Sequence, residues 1–519
     1  MPTPRAHGGA ALQHIPLNLP AFRGLNSQAK GAVIGPEWGT VLTNTVIDDS
    51  NRIAARKGWL SRTTTPASGD ITQLFEFNNS GTQEIVALDD AGVISKSTND
   101  GATWSTITGT AGVTDDNTQF VEFAGKLIGL QNGDGIITYS GTSFSDLAAS
   151  SEPTGGVGLA AFGRLWVKDT ATTIKYCALL DETDWIGSDA GSLDLTSIWG
   201  EADEIVAIAS FNGALIVLSK RNIVVFSDGA GSALGVDPTQ LQVADIIRGI
   251  GCEARDSVVN VKGDLWFLST TGVHSLGRLI QERSNPLFNI SKNVQDEVID
   301  RVLLLSDKTK IRAAYSPRDR FYLLSLPEGS GSTESGSAIV FDTRAPLENG
   351  AYRCVGIWTQ MVPRAMVVRE NLDLYSSLLS STGEVGEYTG YLDGSSSYTM
   401  DFESGWFNLD SPDTKIVKRL SAIFSIGGAT TINFKWGFDF ADTLNKTAQA
   451  IFSGGQDPAE FGVAEFGIAE FGAGAAALEN QVAGKGTGEF VKVGFSCDIN
   501  STAVSAQQIA LYAKIGRMR

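Results

Sequence analysis

The chain has 519 residues and a formal net charge of −18, with 42% hydrophobic and 19% charged residues. This composition excludes a disordered chain, and the negative charge argues against tight binding to nucleic acid or to an anionic membrane. The 58 glycines indicate many turns, which favours an all-β protein of more than one domain. No apolar run reaches about 18 residues, so no membrane-spanning segment is expected.

The four cysteines, Cys177, Cys252, Cys354 and Cys497, lie far apart and form no Cys-x-x-Cys pair. A metal site or a redox motif needs closely spaced ligands, so neither is expected. We expect buried free thiols in a protein of a reducing compartment. The first residues also lack the apolar core of a secretory signal.

Residues 1–34 are expected to form an extended N-terminal arm, because prolines interrupt them and no hydrophobic period is present. Residues 35–69 are predicted to form a β-hairpin segment that leads into the repeated region: a strand, a polar turn and a return strand. The return strand carries four candidate contact residues. Arg52, Arg56 and Lys57 either lie in solvent on a basic rim or contact an acidic surface of another subunit, and Trp59 is the fourth candidate.

Residues 70–395 repeat one pattern, in which an apolar residue, a polar turn with glycine and an apolar strand follow one another. The turn glycines of the four clearest copies are Gly125, Gly163, Gly213 and Gly263, and weaker copies lie on both sides. A period of roughly 40 to 50 residues built from short strands is typical of β-propeller blades. We therefore predict an all-β chain with a β-propeller-like middle domain of about six or seven blades.

The most specific local pattern lies at residues 93–104. Ser97, Asn99, Gly101, Thr103 and Trp104 have the spacing of the Asp-box found in propeller blades, with Asn99 at the position where aspartate is usual. Asn and Gly favour a tight turn between two short strands. We expect the indole ring to lie between neighbouring sheets.

Residues 396–519 are predicted to form a C-terminal β-sandwich, because they contain four long strand-like runs at 416–426, 431–440, 490–498 and 508–517. A loop at 449–485 interrupts them with three copies of Ala-Glu-Phe-Gly, whose period of five matches neither a helix nor a strand. The three phenylalanines either dock onto a partner or fold back onto the sandwich. They complete the candidate contact residues: Phe461, Phe466 and Phe471.

The sequence contains few residues that could form a catalytic site. The chain has three histidines, of which only His274 lies in a strand-like run, and these are too few for a Ser-His-Asp triad or a histidine-rich metal site. The acidic insert at 181–204 is interpreted as a solvated loop and not as a glycosidase carboxylate pair. Arg248, Arg255 and Arg278 could hold a substrate carboxylate only if the fold gathered them. We predict no enzyme, and no catalytic, cofactor or metal-binding residues.

Both ends of the chain resemble the tail hub or nozzle proteins (tail tubular B-like) of short-tailed bacteriophages. The middle of the chain is consistent with the same family. The residues and segments that carry the resemblance are Gly24, Leu25, Asn26, Asn44, Arg56, Lys57, Gly58, Trp406, Lys418, Arg419, Leu420, residues 459–472, Leu511, Tyr512, Gly516 and Arg517.

This resemblance implies a structural virion protein that assembles in the host cytoplasm as a homohexamer. Its partners would be a tail adaptor ring above and tail fibres or tip and plug proteins elsewhere. Double-stranded DNA would pass through the central channel without specific binding, and a negative wall suits that passage because it does not grip phosphates.

Two other classes of protein remain open from the sequence. A carbohydrate-binding or glycan-cleaving propeller, of a tail-fibre or sialidase-like type, is the main alternative because of the Asp-box. A cytoplasmic scaffold propeller is the other. Sugar binding or release would favour the first, and a stable monomer would favour the second.

Overall fold

The computed structural model describes residues 12–18, 22–29, 34–62, 66, 69–109, 112–228, 240–282, 289–328, 335–408, 413–441, 443–453 and 476–515. Within these residues the chain is mostly β, which confirms the predicted class. None of the helices in these ranges is long and apolar enough to cross a membrane. The helical elements are α1 (Thr196–Trp199), α2 (Leu276–Glu282) and α3 (Gln295–Leu304), and the 3-10 segments Arg255–Ser257, Lys292–Val294 and Lys308–Lys310.

The strands fall into three groups along the chain. The N-terminal strands are β1 (Leu12–Asn18), β2 (Gly24–Leu25), β3 (Trp38–Thr43), β4 (Thr45–Ile47), β5 (Ile53–Ala55) and β6 (Trp59–Ser61). The middle strands are β7 (Ile71–Asn79), β8 (Thr82–Asp89), β9 (Ile94–Ser97), β10 (Ser105–Thr106), β11 (Gln119–Phe123), β12 (Lys126–Leu130), β13 (Ile137–Tyr139), β14 (Phe144–Asp146), β15 (Gly158–Ala161), β16 (Arg164–Lys168), β17 (Thr173–Tyr176), β18 (Gly191–Asp194), β19 (Ile205–Phe211), β20 (Ala214–Ser219), β21 (Asn222–Asp228), β22 (Leu241–Arg248), β23 (Val259–Val261), β24 (Asp264–Ser269), β25 (Gly272–Ser275), β26 (Arg312–Ser316), β27 (Phe321–Glu328), β28 (Ser335–Asp342), β29 (Arg353–Trp358), β30 (Pro363–Val368), β31 (Leu374–Leu378) and β32 (Gly386–Tyr388). The C-terminal strands are β33 (Tyr398–Ser404), β34 (Lys415–Ile426), β35 (Thr430–Phe438), β36 (Lys446–Phe452), β37 (Ala476–Ala483), β38 (Thr487–Gly488), β39 (Val491–Ile499) and β40 (Val504–Ile515).

The middle strands form six separate small sheets and one four-stranded arm of a larger sheet, which we label S1 to S7 in chain order. S1 is β7–β10, S2 is β11–β14, S3 is β15–β18, S4 is β19–β22, S5 is β23–β25, S6 is β26–β29, and S7 is β30–β32 with β6 as its fourth strand. The repeated glycines lie in the first turns of S2 to S5 with left-handed φ angles of 73, 71, 77 and 82°. Glycine adopts this conformation without a steric penalty, which is why the repeat requires it there.

The first strands of these sheets contact one another in order. Contacts join β7 to β11, β11 to β15, β15 to β19, β23 to β26, β26 to β30, and β30 back to β7, while β19 contacts the 3-10 segment before β23. Apolar side chains fill the space between neighbouring sheets, as in the cluster shared by Ala207 of S4 and Phe267 of S5. Small sheets stacked in this manner are the arrangement of a β-propeller.

The Asp-box turn has the predicted hydrogen bonds. The Asn99 Oδ1 accepts from the Thr103 backbone N–H at 2.9 Å, and the Ser97 Oγ accepts from the Gly101 N–H at 3.0 Å. The Trp104 Nε1 donates to the Gly101 carbonyl at 3.0 Å, which fixes the indole on the turn. β9 and β10 then pair on either side of this turn, so the turn was correctly predicted from its residues.

Trp104 lies where the last sheet meets the first. It packs against a cluster that includes Ile85 of S1 and Tyr375 of S7. Ion pairs reinforce this junction, since Arg369 Nε lies 3.0 Å from a Glu76 carboxylate oxygen of S1. The S7–S1 junction therefore combines apolar packing with charge pairing between residues almost three hundred positions apart in the chain.

The terminal sheets mix both ends of the chain. In the ten-stranded sheet β3 lies between β29 of S6 and β33, followed by β39, β35 and β36, and β2 pairs with β3. In the seven-stranded sheet β1 and β5 pair with β40, β40 pairs with β34, and β37 and β38 pair with β34. Phe424 of the seven-stranded sheet contacts Phe434, Phe452 and Phe495 of the ten-stranded sheet, so the two sheets share one core.

Residues 35–69 differ from the single hairpin that was predicted. Their hairpin is short and joins β4 to β5, with Thr45 opposite Ala55 and Ile47 opposite Ile53. β3 instead pairs within the ten-stranded sheet, and β6 pairs within S7. The break between β3 and β4 falls at Asn44, whose left-handed φ of 55° ends the extended run.

The Trp104→Ala substitution is expected to lower the free energy of unfolding by about 2–3 kcal/mol, because it truncates a half-buried ring at the S7–S1 junction. Ser105→Ala, at an exposed position of the adjoining strand, should change it by less than about 0.5 kcal/mol. Chemical denaturation followed by fluorescence and circular dichroism measures both. Equal stability of Trp104→Ala and Ser105→Ala would contradict the role of the indole in the junction.

Candidate functional site: the junction of the propeller and the terminal sheets

Arg56 lies at the centre of the junction and has no exposed surface. Its guanidinium group binds the Asp393 carboxylate through two hydrogen bonds of 2.8 and 2.6 Å. The same group lies 4.0 Å from the ring centroid of Tyr398. A bidentate pair with an aromatic ring over it is a geometry that arginine can adopt and lysine cannot.

The polypeptide brings Arg56 to this position through Asn44. The Asn44 Oδ1 accepts from Arg56 Nε at 3.2 Å and from the Thr359 N–H at 3.3 Å, and its Nδ2 donates to the Thr399 carbonyl at 2.9 Å. One amide side chain thus ties the N-terminal segment to the end of S6 and to the start of the terminal sheets. Asparagine is suited to this position because it tolerates left-handed backbone angles.

The residues after Arg56 complete the junction. Lys57 pairs with Asp319 at 2.6 Å and is partly exposed. A Cβ atom on Gly58 would lie 2.0 Å from the Leu392 carbonyl oxygen, so only glycine fits there. Trp59 is buried, and its Nε1 donates to the Ser376 carbonyl at 3.0 Å.

The predicted contact residues therefore divide into three groups. Arg56 and Trp59 contact this chain's own residues and are buried in this conformation, which corrects the placement of Arg56 on a basic rim. Arg52 forms an ion pair with Asp48 at 2.8 Å and, like Lys57, keeps part of its side chain in solvent. The AEFG repeat lies outside the described residues, together with Phe461, Phe466 and Phe471.

A second polar cluster, which the sequence analysis did not anticipate, lies where the first strands of the small sheets converge. The Asn117 Oδ1 accepts hydrogen bonds from Gln73 Nε2 at 2.9 Å, Arg255 at 3.1 Å and Arg312 at 2.8 Å. These donors belong to S1 and to the entries of S5 and S6. Polar residues that directly precede the first strand of a sheet are the signal that could have indicated this cluster.

Electrostatic compensation holds the axial cluster together. Arg255 Nε lies 2.7 Å from one oxygen of Asp256, and Arg312 lies 3.1 Å from the other. Burial alone would raise the pKa of Asp256, but the two guanidinium groups outweigh burial and lower this pKa below its usual range. Burial also lowers the pKa of Arg312. The carboxylate thus links the two guanidinium groups, and this ties the entries of S5 and S6 together.

The arginines considered for a sialidase-like site are not brought together. Arg248 donates to the Trp199 carbonyl at 2.7 Å, whereas Arg255 lies in the axial cluster and Arg278 donates to the Gly350 carbonyl. Within the acidic insert, Glu182 departs from the expected solvated loop, because it is buried and pairs with Lys126. Among the described residues, no group of three or more His, Cys, Asp or Glu side chains could hold a metal ion.

All four cysteines are buried and unbridged, as predicted. Burial raises the pKa of the Cys177 thiol to about 11 and that of Cys252 to about 12, so both remain protonated at neutral pH. These thiols are therefore packing residues of the small sheets.

No family model matches this sequence, and no curated protein matches it. Among solved structures it is similar to the designed protein Ika8, with 11% identity, 64% of this chain and 99% of that chain covered, and a TM-score of 0.34. It is also similar to the β-propeller domain of Cps50 (Swd1) from Myceliophteria thermophila, with 10% identity, 63% and 98% coverage and a TM-score of 0.37. YCF48 bound to D1 peptide shows 10% identity, 64% and 98% coverage and a TM-score of 0.35. The assignment to the β-propeller class rests on the chain's own sheets and on the contacts among their first strands.

We expect Arg56→Met to lower the free energy of unfolding by about 3–5 kcal/mol, because it leaves the largely buried Asp393 carboxylate without its counter-charge. Arg56→Met with Asp393→Asn should recover part of the loss, since the amide carries no charge. Arg52→Met is the matched control. It removes the partly exposed ion pair with Asp48 and should lower the free energy of unfolding by less than about 1 kcal/mol. Urea denaturation of the four proteins tests this, and equal losses for Arg52→Met and Arg56→Met would refute the junction role.

His274 should make stability depend on pH. Burial lowers its pKa to about 4, whereas an unfolded chain has a histidine pKa of about 6.5. Between these values the unfolded chain binds a proton that the folded chain does not, so stability falls as pH falls from about 6.5 to about 4, by about 3 kcal/mol. Between pH 7 and pH 4 the free energy of unfolding of His274→Gln should fall by about 3 kcal/mol less than that of wild type. Denaturation at both pH values measures this. Parallel losses in the two proteins would show that His274 is not the source.

Proposed function

We propose that this chain is a structural virion protein that forms the tail hub or nozzle ring of a short-tailed bacteriophage. The observation that carries the proposal is that the residues behind the resemblance converge in space. β2, which holds Gly24 and Leu25, pairs with β3, and Arg56 binds Asp393 close to the terminal sheets. β34 and β40, which hold Arg419 and Tyr512, pair with each other. Residues from both ends of the chain form one junction, as expected of a structural protein.

The finer architecture is part of this proposal. S1 to S7 would be the blades of one propeller, and β6 would complete the last blade with an N-terminal strand. In support, Trp59 of β6 pairs with Tyr388 of β32 in register. The two terminal sheets would form a β-sandwich around Phe424, and an extended arm would precede them.

DNA would pass between the subunits of the ring and not along the axis of one propeller. Three donors converge on the Asn117 Oδ1 within 3.1 Å, so side chains cross this axis at the level of Asn117. A channel enclosed by several copies would carry the negative charge of each, −18 per chain, and would repel phosphates. Repulsion of this kind suits a conduit that must release DNA.

The partners follow from the same proposal. The ring would be a homohexamer that meets a tail adaptor ring on one face and tail fibres or tip and plug proteins elsewhere. Arg52 and Lys57 are the candidate contact residues with exposed surface. The protein would be assembled in the host cytoplasm, would reside in the virion, and would carry out no catalysis.

The purified chain is expected to form a six-fold ring in electron micrographs, and mass photometry should give six times 55.0 kDa. It should not bind duplex DNA at physiological salt, as measured by fluorescence anisotropy, because its net charge repels phosphates. The same assay with a basic DNA-binding protein controls for a competent probe.

Two outcomes would contradict the proposal. Tight DNA binding at physiological salt would contradict a channel wall that repels DNA. A stable monomer that binds sugars on a glycan array would indicate a carbohydrate-binding propeller and contradict the ring protein.

A further inference from the structure

A rigid loop of S3 exposes three apolar side chains. Leu179, Leu180 and Ile186, between β17 and β18, are 55, 65 and 68% exposed. The loop is nevertheless well built: the Leu180 N–H donates to the Gly163 carbonyl at 2.8 Å, and the Leu179 N–H donates to an Asp189 carboxylate oxygen at 3.0 Å. Such a loop presents apolar surface in a fixed shape, which is typical of a docking element.

Leu180 also has a left-handed φ of 57°. A bulky side chain is disfavoured in this conformation, and backbone strain of this kind persists where the surrounding structure imposes it. The isolated subunit gains nothing from an exposed leucine held in this way. The S3 tip, which we define as residues 179–186, therefore has both features of a surface that is stabilised by contact with a partner.

Carboxylates surround the S3 tip. Asp181 is exposed, and Asp184 accepts from the N–H groups of Ile186 and Gly187 through one oxygen. Hydrogen bonds from Thr183 lower the pKa of Asp181, which keeps this group ionised at neutral pH. A complementary surface must be basic and partly apolar.

The terminal sheets of the same chain supply such a surface. Lys418, Arg419, Lys485 and Lys514 lie on neighbouring strands or turns, since Arg419 is opposite Tyr512 in the β34–β40 pair and the Gly484 N–H donates to the Lys418 carbonyl. We define these four residues as the basic face. Arg419 lies 4.0 Å from the centroid of the Tyr512 ring, which adds an aromatic surface.

The basic face differs from the other cations of the terminal sheets. None of its four side chains makes an ion pair with another residue in the described ranges, and Arg419 Nε is buried without a hydrogen-bond partner there. By contrast, Lys435 and Lys492 of the ten-stranded sheet pair with carboxylates at 2.7 Å. In a chain of net charge −18, a cluster of unpaired cations fits an acidic partner.

The two surfaces belong to separate parts of the subunit. The terminal sheets join the propeller at S6 through β29 and β3, and the N-terminal strand β6 joins S7. In the order of contacts among first strands, S3 is three sheets away from both S6 and S7. Two different complementary patches on one subunit produce head-to-tail contacts, which close into a ring when the rotation permits.

We propose that the S3 tip of one copy docks on the basic face of a second copy, and that this contact builds the ring. The inference rests on the proposed function, because it names the subunit contact of that assembly. The apolar tip would cover Tyr512, and its carboxylates would meet the unpaired cations.

Disulfide trapping tests the geometry directly. Leu180→Cys chains mixed with Lys514→Cys chains should form a covalent dimer under mild oxidation, whereas each variant alone should not, since the native cysteines are buried. A chain with both substitutions should give a covalent ladder that ends at the ring size. Self-linking of Leu180→Cys alone, or no mixed dimer under conditions where rings are seen, would overturn the head-to-tail contact.

Self-association strength gives a second test. Leu180→Gly should weaken association at least tenfold in analytical ultracentrifugation while the melting temperature stays equal or rises, because glycine relieves the strained backbone. Lys418→Glu with Lys514→Glu should weaken it similarly, and adding Asp181→Lys should restore part of it. Lys220→Glu, at an exposed cation of S4, makes half of the net-charge change of the double variant at another site and should leave association unchanged.

The outcomes separate the two proposals. Rings that persist unchanged in Leu180→Gly and in the double lysine variant would overturn this contact and leave the ring protein standing. A wild-type chain that stays monomeric at every concentration would overturn both.

Discussion

The pair between Arg56 and Asp393 is the interaction on which the arrangement of the whole chain depends. Its two partners are 337 positions apart, and each belongs to a segment that connects the propeller to the terminal sheets. A buried guanidinium group is costly unless its donors are satisfied, and here the carboxylate, the Asn44 amide and the Lys57 carbonyl satisfy them. This makes the position intolerant of other residues, and so fixes how the two parts of the chain meet.

The same segment also contributes a strand to the last small sheet. β6 begins three residues after Arg56 and becomes the fourth strand of S7, so the N-terminal segment holds the last sheet beside the first. At that seam Arg369 pairs with Glu76 while Trp104 and Tyr375 pack together. Contacts between residues far apart in the chain form only after large loops have closed. The junction at Arg56 and the S7–S1 junction are therefore expected to form late in folding.

A unit with charged side chains across its axis fits mechanical work better than ligand exchange. Asn117 joins S1 to the entries of S5 and S6 in the axial cluster, and the junction satisfies the donors of Arg56. The outer surface carries the strained apolar S3 tip and the basic face, whose cations make no ion pair within the described residues. A subunit with two such surfaces would be suited to the assembly proposed for it.

The sequence by itself determined the local features of this protein. The glycine repeat identified the turns of S2 to S5, the Asp-box residues fixed the turn at Gly101, and the long C-terminal runs correspond to β34, β35, β39 and β40. Only the tertiary structure decided which strands pair across the chain. Arg52 and Arg56 look alike in sequence, yet the Arg52 side chain is partly exposed beside Asp48 and that of Arg56 is fully buried. The reason is physical: turns and periodicity are set by neighbouring residues, whereas burial of a charge depends on partners that only the folded chain brings within reach.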